Sequence, residues 1–394
     1  MVDWKTRTQL LTAVGMEQRY IKDSIDADLA DRMVFIGGPR QVGKTTLALS
    51  LLKERRDESS PAYLNWDVLA ERENILAERV PSGHPRVIFD EIHKYAGWRN
   101  LMKGLYDKNR SSISFIVTGS ARLDYYRKGG DSLQGRYHYY RLHPFTATEQ
   151  DKQPTRRLVE QFLRFGGFPE PFLRGEARFH RRWLREHSAR VLHEDLRDLE
   201  NVREVSALEL LLSHLPACVG SPLSVNSLSR LLQVNHASIE RWLAIFERLY
   251  LCYRIPPFGT GRIRAVRKEK KLYFWDWSRV EDRGARFENM VAGHLLKYCH
   301  QVEDTEGHDM ELRFIRDTDK REVDFVVLRD GAAEFAVECK SGERRAAPAC
   351  GYFRERTDIP RFYQVHLGTR DFGDARANTR VLPFSTFCRE VGLP

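Results

Sequence analysis

Short apolar runs that end in glycine, acidic or polar residues recur near the start of the chain. Residues 33–36 precede a glycine, residues 86–92 read RVIFDEI, and residues 114–120 read SFIVTGS. Uninterrupted apolar runs of this length are typical of strands buried on both faces of a parallel sheet. Residues 63–67 and 137–142 predict two further strands. Because helical stretches separate these runs, the pattern predicts an α/β domain with helices on both faces of its sheet.

The middle of the chain has a different pattern. Residues 157–204 carry many arginines and carboxylates at helical spacing, which predicts a solvated helical connector without a chemical role. Three helical segments are predicted after it, at residues 207–215, 225–232 and 236–250. The third has one continuous apolar face, made by Ile239, Trp242, Leu243, Phe246, Leu249 and Tyr250. Two apolar stretches follow, 251–255 and 272–275, and three helices followed by two strands predict a winged helix-turn-helix.

The last third predicts one long helix and a second sheet. Residues 284–297 have the periodicity of an amphipathic helix. Residues 322–328 and 334–340 alternate and are rich in β-branched residues, which predicts two strands. Asp330-Gly331 lies between them and favours a hairpin turn. Residues 351–394 predict the strands and the helix that complete this sheet.

Composition narrows the class of protein. The chain has 394 residues, 42% of them hydrophobic and 30% charged, which is enough apolar mass for several domain cores. No apolar run is long enough for a membrane span and no signal peptide is visible, so we expect a cytoplasmic protein without membrane contact. The six cysteines form no C-x-x-C pair, which argues against a zinc site or a disulfide framework. The net charge of +9 suits a polyanionic partner.

A phosphate-binding loop is predicted directly after the first strand. The sequence G-x-x-x-x-G-K-T spans residues 38–45 and leads into the helical stretch TTLALSLL. Its glycines let backbone N–H groups turn toward phosphate oxygens, while Lys44 would reach the β- and γ-phosphates and Thr45 would ligate Mg²⁺. We therefore predict ATP and Mg²⁺ as cofactors. The predicted nucleotide contacts of the loop are Gly38, Pro39, Arg40, Gln41, Val42, Gly43, Lys44, Thr45 and Thr46.

Two acidic residues end the strand at 86–92. Asp90 has the position of a carboxylate that holds Mg²⁺, and Glu91 that of the base which polarises the attacking water. Ser120 ends the next strand, beside the expected nucleotide, since ligands of open α/β sheets bind at the carboxyl ends of strands. It is predicted either as a sensor of the γ-phosphate or as an ordinary turn residue.

These segments together resemble a known family. GGPRQVGKTTL, VIFDEIHKY, TGSARL, SLQGR and GGFPE are similar to motifs of prokaryotic AAA-type P-loop ATPases whose carboxyl-terminal part is catalogued as a domain of unknown function. The resemblance implies ATP hydrolysis and an additional strand between the phosphate-loop strand and the Asp90 strand. Arg122 and Arg136 match positions where such ATPases carry an arginine finger or sensor. For each, a surface arginine paired with a carboxylate is an equal alternative.

A basic segment separates the two strands of the predicted winged helix. Residues 262–271 contain six basic side chains and one acid. Basic side chains on a wing suit phosphate contacts, which position a protein on DNA without reading its sequence. The predicted DNA contacts are Arg241, Arg262, Arg264, Arg267, Lys268, Lys270 and Lys271. A protein-packing module with a solvated basic loop is the alternative.

Four residues of the last third resemble the core of PD-(D/E)xK nucleases. Glu288 comes from the helix, Asp324 from the first strand, and Glu338 and Lys340 from the second. The three carboxylates are predicted to bind Mg²⁺, with Lys340 as a catalytic residue that activates water or steadies negative charge. A regular two-residue turn would place Asp324 opposite Val337, with the carboxylates on opposite faces. A bulge or an odd loop is therefore required.

The sequence thus predicts an ASCE/AAA-type P-loop ATPase domain at 1–150, a helical connector at 151–204, a winged helix at 205–277 and a restriction-endonuclease-like α/β domain at 278–394. We expect an ATPase that remodels or processes DNA, with branched DNA as one candidate and a homo-oligomer, including a hexameric ring, as one assembly. Nuclease activity stays open, because related folds also serve binding alone. The alternatives are a nucleotide-controlled switch in signalling or defence with a non-cleaving terminal domain, and a protein-remodelling ATPase.

Overall fold

The computed structural model describes residues 19–53, 56–119, 133–195, 205–259, 269–375 and 379–394. The chain divides into two compact units. The first contains Met1–His143 and Glu194–Glu200, and the second contains Pro144–His193 and Asn201–Pro394. None of the helices within these described ranges is both long and apolar enough to cross a membrane.

The first unit is built on a parallel five-stranded sheet. Its strands are β1 (Met33–Gly37), β2 (Tyr63–Asn65), β3 (Arg86–Asp90), β4 (Ser114–Thr118) and β5 (Tyr137–Arg141). They lie in the order β2-β3-β4-β1-β5 and every pairing is parallel. Strand β4 therefore separates the phosphate-loop strand β1 from β3, which confirms the additional strand that the family resemblance implied.

Helices cover this sheet on both faces, as the sequence predicted. They are α1 (Lys22–Asp28), α2 (Lys44–Ser50), α3 (Leu69–Leu76) and α4 (Trp98–Asn109). Alternate residues of β1 enter different cores: Val34 and Ile36 pack in the same core as α1 and α2 residues, and Met33 and Phe35 in the core that holds α4 residues. All five β1 residues are buried, so the strand is apolar throughout because both its faces are covered.

The second unit begins with helices. These are α5 (Ala147–Gln150), α6 (Arg156–Phe165), α7 (Pro169–Arg174), α8 (Ala177–Arg190), α9 (Val205–His214), α10 (Val225–Leu232) and α11 (His236–Arg248). A two-stranded antiparallel ribbon follows, β6 (Cys252–Ile255) with β7 (Lys271–Phe274). The Asn235 side chain caps α11 by accepting a hydrogen bond from the Ser238 N–H at 2.8 Å. The predicted apolar face of α11 is buried, with Trp242 1% exposed.

The remainder of this unit is one long helix on a mixed sheet. The elements are α12 (Arg283–Glu306), β8 (Met310–Arg316), β9 (Glu322–Arg329), β10 (Ala332–Lys340), α13 (Pro348–Arg354), β11 (Phe362–His366), β12 (Gly373–Ala375), β13 (Thr379–Pro383) and α14 (Phe384–Glu390). The strand order is β12-β13-β11-β10-β9-β8. The β10–β11 and β11–β13 pairings are parallel and the others antiparallel.

A bulge in the β9–β10 hairpin sets which side chains share a face. Asp330 and Gly331 both have positive φ, as a tight two-residue turn requires. Next to the turn, Ala333 pairs with Leu328, but Phe335 pairs with Val327, so the register shifts by one residue between them. Continuing the shifted register places Asp324 opposite Glu338. The bulge that the sequence required is present, and both carboxylates lie on one face of the sheet.

Two buried polar side chains of α12 tie this helix to the start of the second unit. The Lys297 ammonium donates to Thr146 Oγ1 at 2.8 Å and to the Pro144 carbonyl oxygen at 3.3 Å, and it pairs with the Glu149 carboxylate. His294 Nε2 accepts the Ala147 N–H at 3.1 Å. The His294 Nδ1 must then carry the proton, and it donates to the Met290 carbonyl oxygen at 2.8 Å.

We expect His294 to make this unit acid-sensitive. Burial lowers the pKa of His294 to about 3, whereas an unfolded histidine titrates near 6.5. As the pH falls below about 6.5, His294 becomes protonated in the unfolded state but stays neutral in the folded state. The free energy of unfolding therefore falls by roughly 1.4 kcal/mol per pH unit. Urea midpoints measured from pH 7 to pH 5 should therefore fall less steeply in His294→Gln. An unchanged slope would contradict this assignment.

Candidate functional site

The phosphate loop connects β1 to α2 at the carboxyl edge of the sheet. Gly38 and Gly43 have φ of +141° and +99°, a region that L side chains rarely adopt. A Cβ on Gly38 would also collide with the Leu142 backbone. The Lys44 ammonium donates to the carbonyl oxygens of Gly38 at 3.0 Å and Pro39 at 2.8 Å. The loop is thus wrapped around the lysine, with Gln41 also at positive φ.

Sequence reasoning missed a buried arginine that supports this loop. Arg19 is 3% exposed. Its guanidinium donates to the Val42 carbonyl oxygen at 2.9 Å and to the His143 carbonyl oxygen. Arg19 lies well before the motif, and no local pattern marks it, because its partners are backbone oxygens. It is a positioning residue for the phosphate loop.

The Asp90 carboxylate accepts hydrogen bonds from three hydroxyl groups, each on a different helix or strand. Its Oδ2 accepts hydrogen bonds from the Thr45 hydroxyl and the Tyr63 hydroxyl, both at 2.8 Å, and its Oδ1 accepts one from Thr118. Asp90 is 5% exposed. A hydroxyl and a carboxylate at the end of the phosphate loop are hard oxygen ligands of the kind that Mg²⁺ prefers. Thr45 and Asp90 therefore fit the cofactor that the sequence predicted, while Tyr63 and Thr118 are contacts that it missed.

Glu91 follows Asp90 in a left-handed conformation, with φ of 57°. Its N–H donates to the Thr118 carbonyl oxygen at 3.0 Å. The Glu91 side chain is about a quarter exposed, and its carboxylate lies 3.6 Å from the Lys94 ammonium. Burial raises the pKa of Glu91, and the charge of Lys44 opposes that rise. A partly desolvated carboxylate beside a phosphate loop is suited to accept a proton from water.

The three other predicted nucleotide contacts have different outcomes. Ser120 and Arg122 lie outside the described residues. Arg136 is described, and its guanidinium donates to both carboxylate oxygens of Asp107, at 2.9 and 3.1 Å. It precedes β5, next to the start of β1. The phosphate loop begins at the opposite end of β1, roughly 15 Å away, so Arg136 does not lie beside the nucleotide site of its own chain. Its pairing with Asp107 agrees with the alternative of a surface arginine paired with a carboxylate.

The second unit assembles the predicted carboxylate cluster around a lysine. Lys271 is completely buried, and its ammonium lies 3.0 Å from Glu288 Oε1, 3.2 Å from Asp324 Oδ1 and 2.5 Å from Glu322 Oε1. The prediction that Lys271 contacts DNA is therefore wrong, because its charge is enclosed. Sequence reasoning placed Lys271 at the end of the basic segment, where its neighbours along the chain are charged.

The other members of the cluster are also paired. Glu338 Oε1 pairs with the Lys340 ammonium, and Asp324 Oδ2 accepts the Cys339 N–H at 2.9 Å. Burial, followed by the charge of Asp324, raises the pKa of Glu288 to about 7 and that of Glu338 to about 8. Burial opposes the charge of Lys271, but the surrounding carboxylates outweigh it and hold the pKa of this lysine above its ordinary value.

A metal ion does not fit this cluster as it is arranged. Within the described ranges, no three histidine, cysteine or acidic side chains are placed to hold one. Glu288, Asp324 and Glu338 lie close together, as predicted, but the shared space between the first two contains the Lys271 ammonium. Beside the cluster is a cleft of about 520 Å³ lined by Asp324, Glu338, Lys340 and exposed basic residues that include Arg344 and Arg345.

Of the remaining predicted DNA contacts, four lie outside the described residues: Arg262, Arg264, Arg267 and Lys268. Lys270 and Arg241 are both exposed, and Arg241 lies on α11. Their exposure leaves DNA contact as a prediction.

Three family models match successive parts of the chain. Residues 30–150 match an AAA domain, residues 156–280 match a domain of unknown function, DUF8612, and residues 283–387 match another, DUF4143. The first match coincides with the parallel sheet, the phosphate loop and the Asp90 cluster. The AAA-domain match therefore covers the part of the chain that carries the candidate nucleotide site.

Two curated relatives are both named as uncharacterized proteins. The chain is 21% identical over 319 residues to the uncharacterized protein MJ1544 of Methanocaldococcus jannaschii, covering 72% of this chain and 71% of that protein. It is 24% identical over 244 residues to the uncharacterized protein Rv2008c of Mycobacterium tuberculosis, covering 62% of this chain and 54% of that protein. The match thus spans about half the length of the mycobacterial relative.

Solved structures with partial similarity include the Orc1 protein of Aeropyrum pernix in complex with DNA, 14% identical, covering 70% of this chain and 91% of that chain with a TM-score of 0.33. The RuvB Holliday junction branch migration motor of Thermotoga maritima is 16% identical and covers 64% of this chain and 90% of that chain with a TM-score of 0.30. TM-scores this low do not establish a shared overall fold.

Proposed function

We propose that the chain is a Mg²⁺-dependent ATPase whose hydrolysis cycle acts on DNA. The observation that carries the ATPase is the meeting of the Thr45 hydroxyl and the Asp90 carboxylate at 2.8 Å, at the end of a phosphate loop wrapped around Lys44. Phosphoryl transfer needs mainly positioning and charge neutralisation, and these three residues supply both.

Each residue has one role in this proposal. Lys44 binds the β- and γ-phosphates, Thr45 and Asp90 hold the metal ion, and Glu91 takes a proton from the attacking water. When bound, Mg²⁺ neutralises the charge that develops on the phosphate oxygens. Tyr63 and Thr118 fix the Asp90 carboxylate through hydrogen bonds, so that it faces Thr45 before a nucleotide binds.

The proposal of DNA as partner rests on charge and on the order of elements. Helices α9, α10 and α11 precede the β6–β7 ribbon, and the basic segment joins its two strands. This order supports a winged helix-turn-helix in the second unit. The net charge of +9 favours a polyanion. Branched DNA is one candidate substrate, and a homo-oligomer in which Arg122 reaches a neighbouring subunit's nucleotide is one candidate assembly.

We expect ATP hydrolysis to be stimulated by DNA and the stimulation to depend on the basic segment. Replacing Arg264, Arg267 and Lys268 with alanine removes three charges, which should reduce the slope of log affinity against log salt by about 2 to 3. DNA binding titrated between low and physiological salt, on single-stranded, duplex and junction DNA, measures this slope.

A matched control replaces three exposed arginines of α8, Arg178, Arg181 and Arg185, with alanine. The control alters net charge equally and should leave the slope close to that of the unaltered protein. Equal slopes for all three proteins, or an ATPase rate unaffected by any DNA, would remove DNA from the proposal and leave the ATPase standing.

The buried Lys271 favours a second candidate, a nucleotide-controlled switch with a non-cleaving terminal domain. An ammonium among the carboxylates removes the metal-dependent cutting step that a processing enzyme would need. Tight retention of ADP, slow turnover and no effect of DNA would support the switch over the first proposal.

A further inference from the structure

The cation in the carboxylate cluster is supplied by the chain itself. Three carboxylates, Glu288 of α12 and Glu322 and Asp324 of β9, lie within 3.2 Å of the Lys271 ammonium. Lys271 begins β7, in the two-stranded ribbon. An ammonium has three N–H donors, and here it has three carboxylate oxygens around it. The arrangement therefore satisfies the lysine completely.

Neighbouring groups also contact these carboxylates. Glu288 Oε1 also accepts the Tyr273 hydroxyl at 2.7 Å, and Glu322 Oε2 pairs with Arg316 at 2.8 Å. Asp324 Oδ2 is held by the Cys339 N–H. Glu338 has one buried oxygen without a partner among the described residues. Each of the three carboxylates around Lys271 thus has hydrogen-bond partners without a metal ion.

The lysine ammonium and a metal ion cannot share the space between Glu288 and Asp324. Mg²⁺ and its oxygen ligands are separated by about 2.1 Å. The Glu288 and Asp324 oxygens that would bind such an ion are the ones that contact the Lys271 ammonium. A metal ion could therefore enter the space between Glu288 and Asp324 only by displacing a completely buried lysine from three carboxylates.

We propose that Lys271 replaces the divalent cation of a nuclease-like centre, so that the second unit needs no metal ion and does not cleave nucleic acid. The same contact joins β7 to α12 and β9. This inference is independent of ATP hydrolysis by the first unit, and a failure of either leaves the other intact.

The test is Mn²⁺ binding to the whole 394-residue chain without nucleotide, measured by electron paramagnetic resonance. All proteins carry Thr45→Ala, which removes the hydroxyl ligand of the predicted Mg²⁺ site in the first unit. With Lys271 present, we expect no Mn²⁺ site that depends on Asp324. Lys271→Ala vacates the space between the carboxylates and should gain one Mn²⁺ site. The affinity of this site should be at least about tenfold higher than any Mn²⁺ affinity of the protein that retains Lys271. Adding Asp324→Ala should remove that gain.

A neighbouring lysine provides the control. Lys270→Ala removes an exposed charge one residue away and should gain no Mn²⁺ site. If Lys271→Ala folds poorly without metal ions, Mn²⁺ should raise its melting temperature and should leave that of the Lys270→Ala protein unchanged. Lys271→Gln provides a second variant for the titration, with a side chain that can still form hydrogen bonds. An Asp324-dependent Mn²⁺ site in the protein that retains Lys271, or no gain in either Lys271 variant, would overturn the proposal. So would Mg²⁺-dependent DNA cleavage that Asp324→Ala abolishes.

Discussion

Glu91→Gln lowers kcat for ATP hydrolysis by about 10² to 10⁴-fold and leaves ATP binding nearly unchanged. The substitution keeps the size of the side chain but removes the carboxylate that accepts a proton from water, and general-base catalysis is worth this range. The contacts to the phosphates come from the loop and Lys44, which the change does not alter. Steady-state turnover and calorimetric ATP binding measure the two quantities separately.

Lys44→Ala gives the contrasting result, since it removes the cation that the loop surrounds, and both ATP binding and turnover should fall. Glu73→Gln, at an exposed position on α3, is the matched control and should leave both at the level of the unaltered protein. Full turnover in Glu91→Gln would mean that another group serves as the base.

Lys297→Met destabilises the second unit by about 3–5 kcal/mol. Lys297 and Glu149 have side chains only 0% and 2% exposed, and removing one partner of a buried pair leaves the other charge in an apolar environment. Loss of the hydrogen bonds to Thr146 and to the Pro144 carbonyl oxygen adds to the cost. Urea unfolding followed by tryptophan fluorescence measures the shift in midpoint.

Two further proteins separate the buried charge from lost packing. The double variant Lys297→Met/Glu149→Met should recover most of the stability, because apolar pairs of similar volume often replace buried ion pairs without loss. Arg182→Met breaks an exposed pair with Glu186 at 3.9 Å on α8 and should cost less than about 1 kcal/mol. A Lys297→Met protein as stable as Arg182→Met would refute the role given to the buried pair.

Local patterns predicted the elements that position the nucleotide site. The apolar run at β1 and the glycines after it have strong local preferences, and β1 occupies Met33–Gly37 as expected. The sequence also predicted that a bulge or an odd loop is required, because side chains alternate strictly between the two faces along a strand. Asp324 and Glu338 could share a face only if the hairpin contained one extra residue. Which residue is bulged was not predictable, since Ala333 and Phe335 carry no signal for it.

Contacts between segments far apart in the chain could not be predicted from the sequence. Arg19 and Lys271 are basic residues in polar or charged stretches, and such residues are usually exposed. Each is buried because its partners come from elsewhere in the chain: backbone oxygens for Arg19, and carboxylates 17 and 53 residues away for Lys271. The location of Arg136 was not predictable for a related reason, since its position in a motif did not reveal which edge of the sheet it occupies.

The position of Lys271 in the sequence matters for the design of truncated forms of this chain. The lysine lies in the segment that matches DUF8612, whereas its carboxylates lie in the segment that matches DUF4143. A fragment that starts at residue 283 would lose Lys271, the Ala147 N–H that His294 accepts and the Glu149 partner of Lys297. It would retain the four-residue signature of a nuclease together with an artificial opening for metal ions. Cleavage by such a fragment would therefore report on the truncation, and the two segments are better expressed together.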